Sequence, residues 1–210
     1  PVEVIYREGI TKLTKADFET AQLLGYKIKL LAIGKKDGNR IEVRVHPTMI
    51  PDTHPLASVR GVFNAIFLTG HAVDDVMLYG RGAGCMPTAS AVVSDVVYAC
   101  HAEGRHQYMT FVNSENMSSE IELVNDFSCV YCVRLHVADQ PGTMAAVAGL
   151  FAKHGVSLKS VIQLGETEGK SSRITFLTHR AGELSVRDAL KEIQALDCVS
   201  EVESIIRVEE

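Results

Sequence analysis

The sequence predicts an α+β fold in two parts: a mixed-sheet first half, then a second half ordered strand–helix–strand–strand–helix–strand. Three observations predict it. From residue 129 onward, runs with period-2 alternation and runs with helical spacing follow one another in that βαββαβ order. The first half holds a hairpin signal, Asp37-Gly38, between two strand-like runs. Between the halves lies a polar stretch, residues 101–128, with Gly104 and the run Asn113-Ser114-Glu115-Asn116, which has linker composition. The expected division is therefore 1–105, a linker at 106–128 and a module at 129–210.

In the first half, Thr14 followed three positions later by Asp17 approximates a capping box. Phe18, Ala21 and Leu24 then recur at helical spacing, and Gly25 is a ready stop. An apolar strand is expected over Ile28–Ile33, and its return strand over Ile41–Val45. Pro47, Pro51 and Pro55 predict an irregular stretch after it. Short strands are expected near Asn64–Leu68 and Val76–Tyr79. The GRGAG run, Gly80–Gly84, then turns the chain into a helix over roughly Pro87–Ala102, with Ala89, Val92, Val93, Val96 and Val97 as its buried stripe. A further short strand is expected at Tyr108–Val112.

In the second half, strands are expected at Val130–Val137, Ser157–Leu164, Arg173–His179 and Val202–Val208, and helices at Thr143–His154 and Glu183–Leu196. This is the ferredoxin-like order. Pro141 suits a first helical turn and Gly155 a left-handed stop. Met144, Val147, Ala148, Leu150 and Phe151 give the first helix one apolar face. The other face of such a sheet needs a cover, and a second copy of the chain is the usual one, so a dimer is expected.

Composition narrows the function. The 210 residues are 46% hydrophobic and 22% charged, with a formal net charge of −5 and no basic run, which disfavours a nucleic-acid surface. Apolar stretches are interrupted before they reach a membrane span, and the first ten residues lack a secretory pattern, so a cytoplasmic location is expected. Five scattered cysteines give no disulfide framework. Cys129 and Cys132 mimic a CxxC pair, but three residues apart on a strand they face opposite sides. No metal site is expected. Asp139-Gln140-Pro141-Gly142 joins the first strand of the module to its helix, where Gly142 admits close approach and the helix-start N–H groups attract a carboxylate. A plain strand-to-helix turn capped by Asp139 is the alternative. Gln163, near the end of the next strand, is within range of a ligand or a second subunit. GRGAG has the strand-to-helix context of a dinucleotide turn but fails GxGxxG, since Cys85 stands at the third glycine.

Residues 133–163 resemble the opening βαβ of an ACT domain, the small amino-acid-sensing module of metabolic enzymes, with its DxPG turn at Asp139–Gly142. EGITKLTKADFETAQLLGYKIKLLAIGKK, HPLASVRGVFNAIFLTG and YGRGAGCMPTASAVVSDV, together with THRAGELSVRDAL, resemble consecutive blocks of homoserine dehydrogenase. The resemblance covers nearly the whole chain. It implies the end of a catalytic domain followed by an ACT domain, in an enzyme that interconverts homoserine and aspartate semialdehyde with NAD or NADP. It further implies threonine as feedback effector near Asp139, Gly142 and Gln163, a homo-oligomer of dimers or higher, and backbone contact with the cofactor at Gly84 and Gly82. The family's Rossmann domain, homoserine-binding acids and proton-transferring lysine precede these blocks. No catalytic residue is therefore assigned, and Lys27, Lys29, Lys35 and Lys36 are not moved into that role. The rival expectation is an independent ACT-type amino-acid-binding regulator.

Overall fold

Asp37 and Arg40 close a two-residue turn in which Gly38 takes φ +56°, and the hairpin beyond it is longer than its sequence pattern predicts. The computed structural model describes residues 3, 5–101, 121–164 and 171–209. Strand β2 (Tyr26–Asp37) pairs antiparallel with β3 (Arg40–Pro51) along the full length of both. The expected irregular stretch at Pro47 and Pro51 is thus a correction: β3 runs through both prolines. The reason lies on its other edge, where short parallel partners follow one another: β6 (Glu122–Val124) at 40–42, β1 (Tyr6–Arg7) at 44–45, and β11 (Val199–Val208) at 48–49. Glu8 N–H donates to Val45 O at 2.8 Å, and the next bond of that ladder would need an N–H at Pro47. Glu209 N–H donates to Met49 O at 3.0 Å, and the next would need one at Pro51. Each proline ends a partner's pairing without ending its own strand.

Helix α1 (Lys15–Leu23) starts as the sequence predicts: Thr14 N–H donates to Asp17 Oδ2 at 2.7 Å, and Thr14 Oγ1 donates to the same oxygen at 2.8 Å. Gly25, at φ +79°, ends it. Its buried face is Asp17, Thr20 and Ala21, whereas Phe18 is exposed, which corrects the expected stripe.

The module runs β7 (Ser128–Ala138), α3 (Thr143–Lys153), β8 (Leu158–Leu164), β9 (Ser171–Thr178), β10 (Ala181–Gly182), α4 (Glu183–Gln194) and β11. Its sheet order β11-β7-β9-β8, all antiparallel, is the expected ferredoxin-like one, with the short β10 added beside β7. Val133, Leu135, Val147, Phe151, Phe176 and Ile193 are buried in one core between the sheet and its helices. Met144 of the expected helix face is exposed instead. On the opposite sheet face, Val130, Cys132, Leu177 and Ile206 pack with Met49 and with Ala21 of α1. Part of the face expected to need a second copy is therefore covered by this chain's own first helix. Cys129 and Cys132 lie in these two different cores, on opposite faces.

A buried ionic cluster joins β1, β7, α4 and β11. Arg207, 3% exposed, donates to Glu183 through Nε (3.0 Å) and Nη2 (2.6 Å), to Glu8 (2.7 Å) and to the Tyr6 hydroxyl (2.7 Å). Glu183 also accepts from Tyr131 (2.9 Å) and Arg187 (2.6 Å). Burial opposes its charge, yet the bonds from Arg207, Arg187 and Tyr131 hold its carboxyl below the usual range. Burial drives the Tyr131 phenol strongly upward, so it stays a donor. Beside the cluster, Arg44 stacks over Phe127 at 4.3 Å and ion-pairs with Glu42 and Glu209. Arg44 Nε donates to His46 Nε2 at 2.9 Å, while His46 Nδ1 faces Pro47 O at 3.0 Å. Burial, reinforced by the Arg207 and Arg44 charges against the Pro47 bond, lowers the imidazole to about 4.

By compactness, residues 1–51 and 119–210 form one unit and 52–118 another, a division distinct from that by sequence blocks. In the second unit, β4 (Phe63–Gly70) pairs antiparallel with β5 (Asp74–Arg81), and α2 (Cys85–His101) follows. The expected buried stripe on α2 is corrected. Ala89 is exposed, as are Val92, Val93, Val96 and Val97, at 50–60% for the valines. One hairpin offers too little surface to cover a helix of this length. The expected strand at Tyr108–Val112 lies outside the described residues.

Glu183→Ala leaves the Arg207 guanidinium buried without its main partner and should cost about 3–5 kcal/mol in urea unfolding. A cost under about 1 kcal/mol would show that the cluster is not holding the unit together. The unfolded chain protonates His46 near its ordinary 6.5, before the folded chain does at about 4. Its stabilisation is thus complete above about pH 6.5 and lost as pH falls towards 4, by at most about 3 kcal/mol. Thermal unfolding from pH 7 to 4 should show this slope, and His46→Gln should flatten it.

Candidate functional site

The two turns singled out in the sequence each join a strand to a helix, and the local chain accounts for both. At the first, Phe63 stacks on Tyr79 at 4.8 Å between ring centroids, and the Arg81 guanidinium lies 4.9 Å over the Phe63 ring. These contacts hold the ends of β4 and β5 together just before the turn. Gly82 N–H donates to Val62 O at 2.8 Å, and Gly84 N-caps the way into α2 with φ +122°, where a side chain would be strained. Thr88 N–H donates to Gly84 O at 3.0 Å, so α2 starts at Cys85, two residues earlier than the sequence pattern places it. Pro87 falls in the first turn, where its missing N–H is not needed.

The turn has a neighbour that the sequence reading did not single out. A Cβ on Gly82 would stand 1.5 Å from Asn64 Nδ2 and 2.7 Å from Asn64 Cγ, so the Asn64 carboxamide fills the space above this glycine. Pairing of Asn64 with Gly80 puts it there. No spacing rule links residues 64 and 82, and the contact follows from strand register alone. A nicotinamide cofactor at this turn would supply hydride transfer; Gly82 and Gly84 would offer it backbone and the carboxamide one polar edge. These residues suit a surface touching part of a cofactor. They include no unit able to hold a whole dinucleotide.

At the second turn, Gln140 N–H donates to Ala138 O (3.1 Å), Thr143 Oγ1 donates to the same oxygen (2.9 Å), and Gly142 takes φ +96°. Gly142 is the N-cap residue of α3 and no side chain caps that helix. The alternative of Asp139 as helix cap is thereby removed, and Pro141 lies just before the helix rather than in it. Asp139 is exposed beside the uncapped N–H groups.

Gln163 stands in register with Ile174 and, across β9, with Leu135, on the sheet face that packs α3. Its Nε2 donates to Ser172 Oγ at 2.8 Å, and Ser172 pairs with Val137, one residue from the turn's first strand end. The topology thus brings Gln163 to the same end of the sheet as Asp139 and Gly142. Gly82 and Gly84 form the separate turn of the second unit.

Gly82→Ala should cost roughly 1–3 kcal/mol, by overpacking against Asn64. In an Asn64→Ala background the cost should shrink to under about 0.5 kcal/mol. Thermal unfolding of the four chains checks this, and equal costs in both backgrounds would mean that another contact demands the glycine.

Residues 1–97 match the homoserine dehydrogenase family model, and residues 133–198 match the ACT domain model. A homoserine dehydrogenase of Neisseria gonorrhoeae is 38% identical over 97% of this chain and 48% of its own length. One from Synechocystis is 40% identical over 96% of this chain and 48% of its own. The crystal structure of a homoserine dehydrogenase from Thiobacillus denitrificans superposes with a TM-score of 0.85 and 34% identity, covering 100% of this chain and 48% of that one. The chain spans about half the length of the relatives it matches. A homoserine dehydrogenase domain followed by an ACT domain, with such relatives matching nearly the whole chain, makes this chain the C-terminal portion of a homoserine dehydrogenase.

Proposed function

We propose that the chain belongs to an enzyme that interconverts L-homoserine and L-aspartate 4-semialdehyde with NAD or NADP, in the biosynthesis of threonine, methionine and isoleucine. The observation that carries this reading is the order of the two matched domains over nearly the whole chain. Within it, Gly82 and Gly84 contact the cofactor through backbone, and Asn64 fixes the position of their turn. The ACT module takes an amino acid, with L-threonine the favoured effector, at Asp139, Gly142 and Gln163. The uncapped start of α3 supports this, because it presents N–H donors and a favourable dipole to a ligand carboxylate. A homo-oligomer, dimer or higher, in the cytoplasm completes the reading. No described helix is long and apolar enough to cross a membrane.

The chain spans about half the length of its relatives, and turnover by this chain alone is not expected. NADPH-dependent reduction of aspartate semialdehyde tests that directly: measurable turnover would defeat it. Calorimetric titration with threonine should give saturable heat that Gly142→Ala weakens, since φ +96° disfavours a side chain by about 1–3 kcal/mol. Heat unaffected by that substitution would move the effector elsewhere.

A further inference from the structure

A cavity of about 740 Å³ opens between β11, α4 and the segment that follows β1, with no residue of the Asp139–Gly142 turn in its lining. Its size is that of a small-molecule site. Strand β11 pairs with β7 along one edge, but on the other it meets β3 at Arg207 and Val208. The preceding part of that edge has no strand beside it among the described residues and faces the cavity. Gln194 Oε1 accepts the Val202 N–H there at 2.8 Å, a side chain doing what a strand would do.

Leu13, Leu190, Val202 and Ile205 give the cavity apolar walls. Arg7, Lys12, Arg187, Lys191 and Arg207 line it with positive charge, against the carboxylates of Glu8 and Glu203. Both acids are already neutralised: Glu8 by Arg207, Glu203 by Arg134 at 2.6 Å and Arg173 at 2.7 Å. Arg187 is held by Glu183 and Lys191 by Asp188. Arg7 and Lys12 remain, exposed and without a carboxylate partner among the described residues. In a chain with formal net charge −5, the cavity is a local excess of positive charge with an apolar lining.

We propose that this cavity binds a small aliphatic carboxylate, at a site separate from the Asp139–Gly142 turn. The carboxylate takes the place of the missing partners of Arg7 and Lys12, and the hydrocarbon part lies on Leu13, Leu190 and Val202. A purely ionic site would need no such lining, so carboxylate is favoured over inorganic phosphate. Such a ligand would bridge α4 and β11 of the module to the segment before α1.

Calorimetric titration of the chain with glutarate tests the proposal, with Lys12→Met, Arg7→Met and Asp139→Asn as variants. Arg7 and Lys12 are exposed, so their replacement should leave the fold intact, which thermal unfolding checks. Saturable heat is expected, weakened about tenfold by Lys12→Met and by Arg7→Met, weakened by added salt, and unchanged by Asp139→Asn. No heat, or affinity unmoved by Lys12→Met and Arg7→Met, overturns the site. Loss of binding on Asp139→Asn overturns its separateness from the effector turn. Phosphate binding as tightly as glutarate, and lost in the same variants, overturns the carboxylate assignment.

Discussion

A guanidinium cannot be buried unless nearly every donor on it finds an acceptor, and Arg207 imposes that condition on elements from both ends of the chain. Its partners come from β1 and the residue after it, Tyr6 and Glu8, and from the first turn of α4, Glu183. Glu183 in turn fixes Tyr131 on β7 and Arg187 one helical turn along. Apolar packing alone would tolerate small shifts of these elements. The fork geometry of the guanidinium tolerates few, so the cluster sets where α4 and β1 lie on the sheet.

The long strand β3 is held by backbone pairing along both of its edges. One of its edges is fully used by β2, and the other is shared in turn by β6, β1 and β11. Pro47 and Pro51 divide this edge by withholding donors at two points, so one strand serves several partners in fixed register. Because β11 is also the last strand of the ferredoxin-like module, the hairpin of the first half and the module share one sheet. The open edge of β11 beside the cavity follows from this arrangement, since pairing with β3 starts as late as Arg207.

Of the two candidate turns, the backbone was the more legible part. Gly84 and Gly142 both adopt the left-handed conformation, which glycine in a strand-to-helix turn foretells. Side-chain neighbours were not legible in the same way. Asn64 reaches Gly82 because β4 and β5 pair in one particular register, and residues eighteen apart carry no periodic signal. Helical periodicity marks an apolar face but does not decide whether anything covers it. The valine stripe of α2 is as regular as any core helix, yet the described residues of its unit offer it no cover.

By itself, the sequence determined the order of the longer elements, the hairpin at Asp37-Gly38, the capping of α1 by Thr14 and Asp17, and the opposite facing of Cys129 and Cys132. All of these depend on neighbours within a few residues, where period, turn chemistry and capping act directly. Tertiary structure alone decided that α1 covers part of the module's second face, that β3 passes through its prolines, and that Glu183 meets Arg207, Tyr131 and, through Arg207, Glu8. Those outcomes rest on pairings between residues up to about two hundred positions apart, for which local pattern supplies no register.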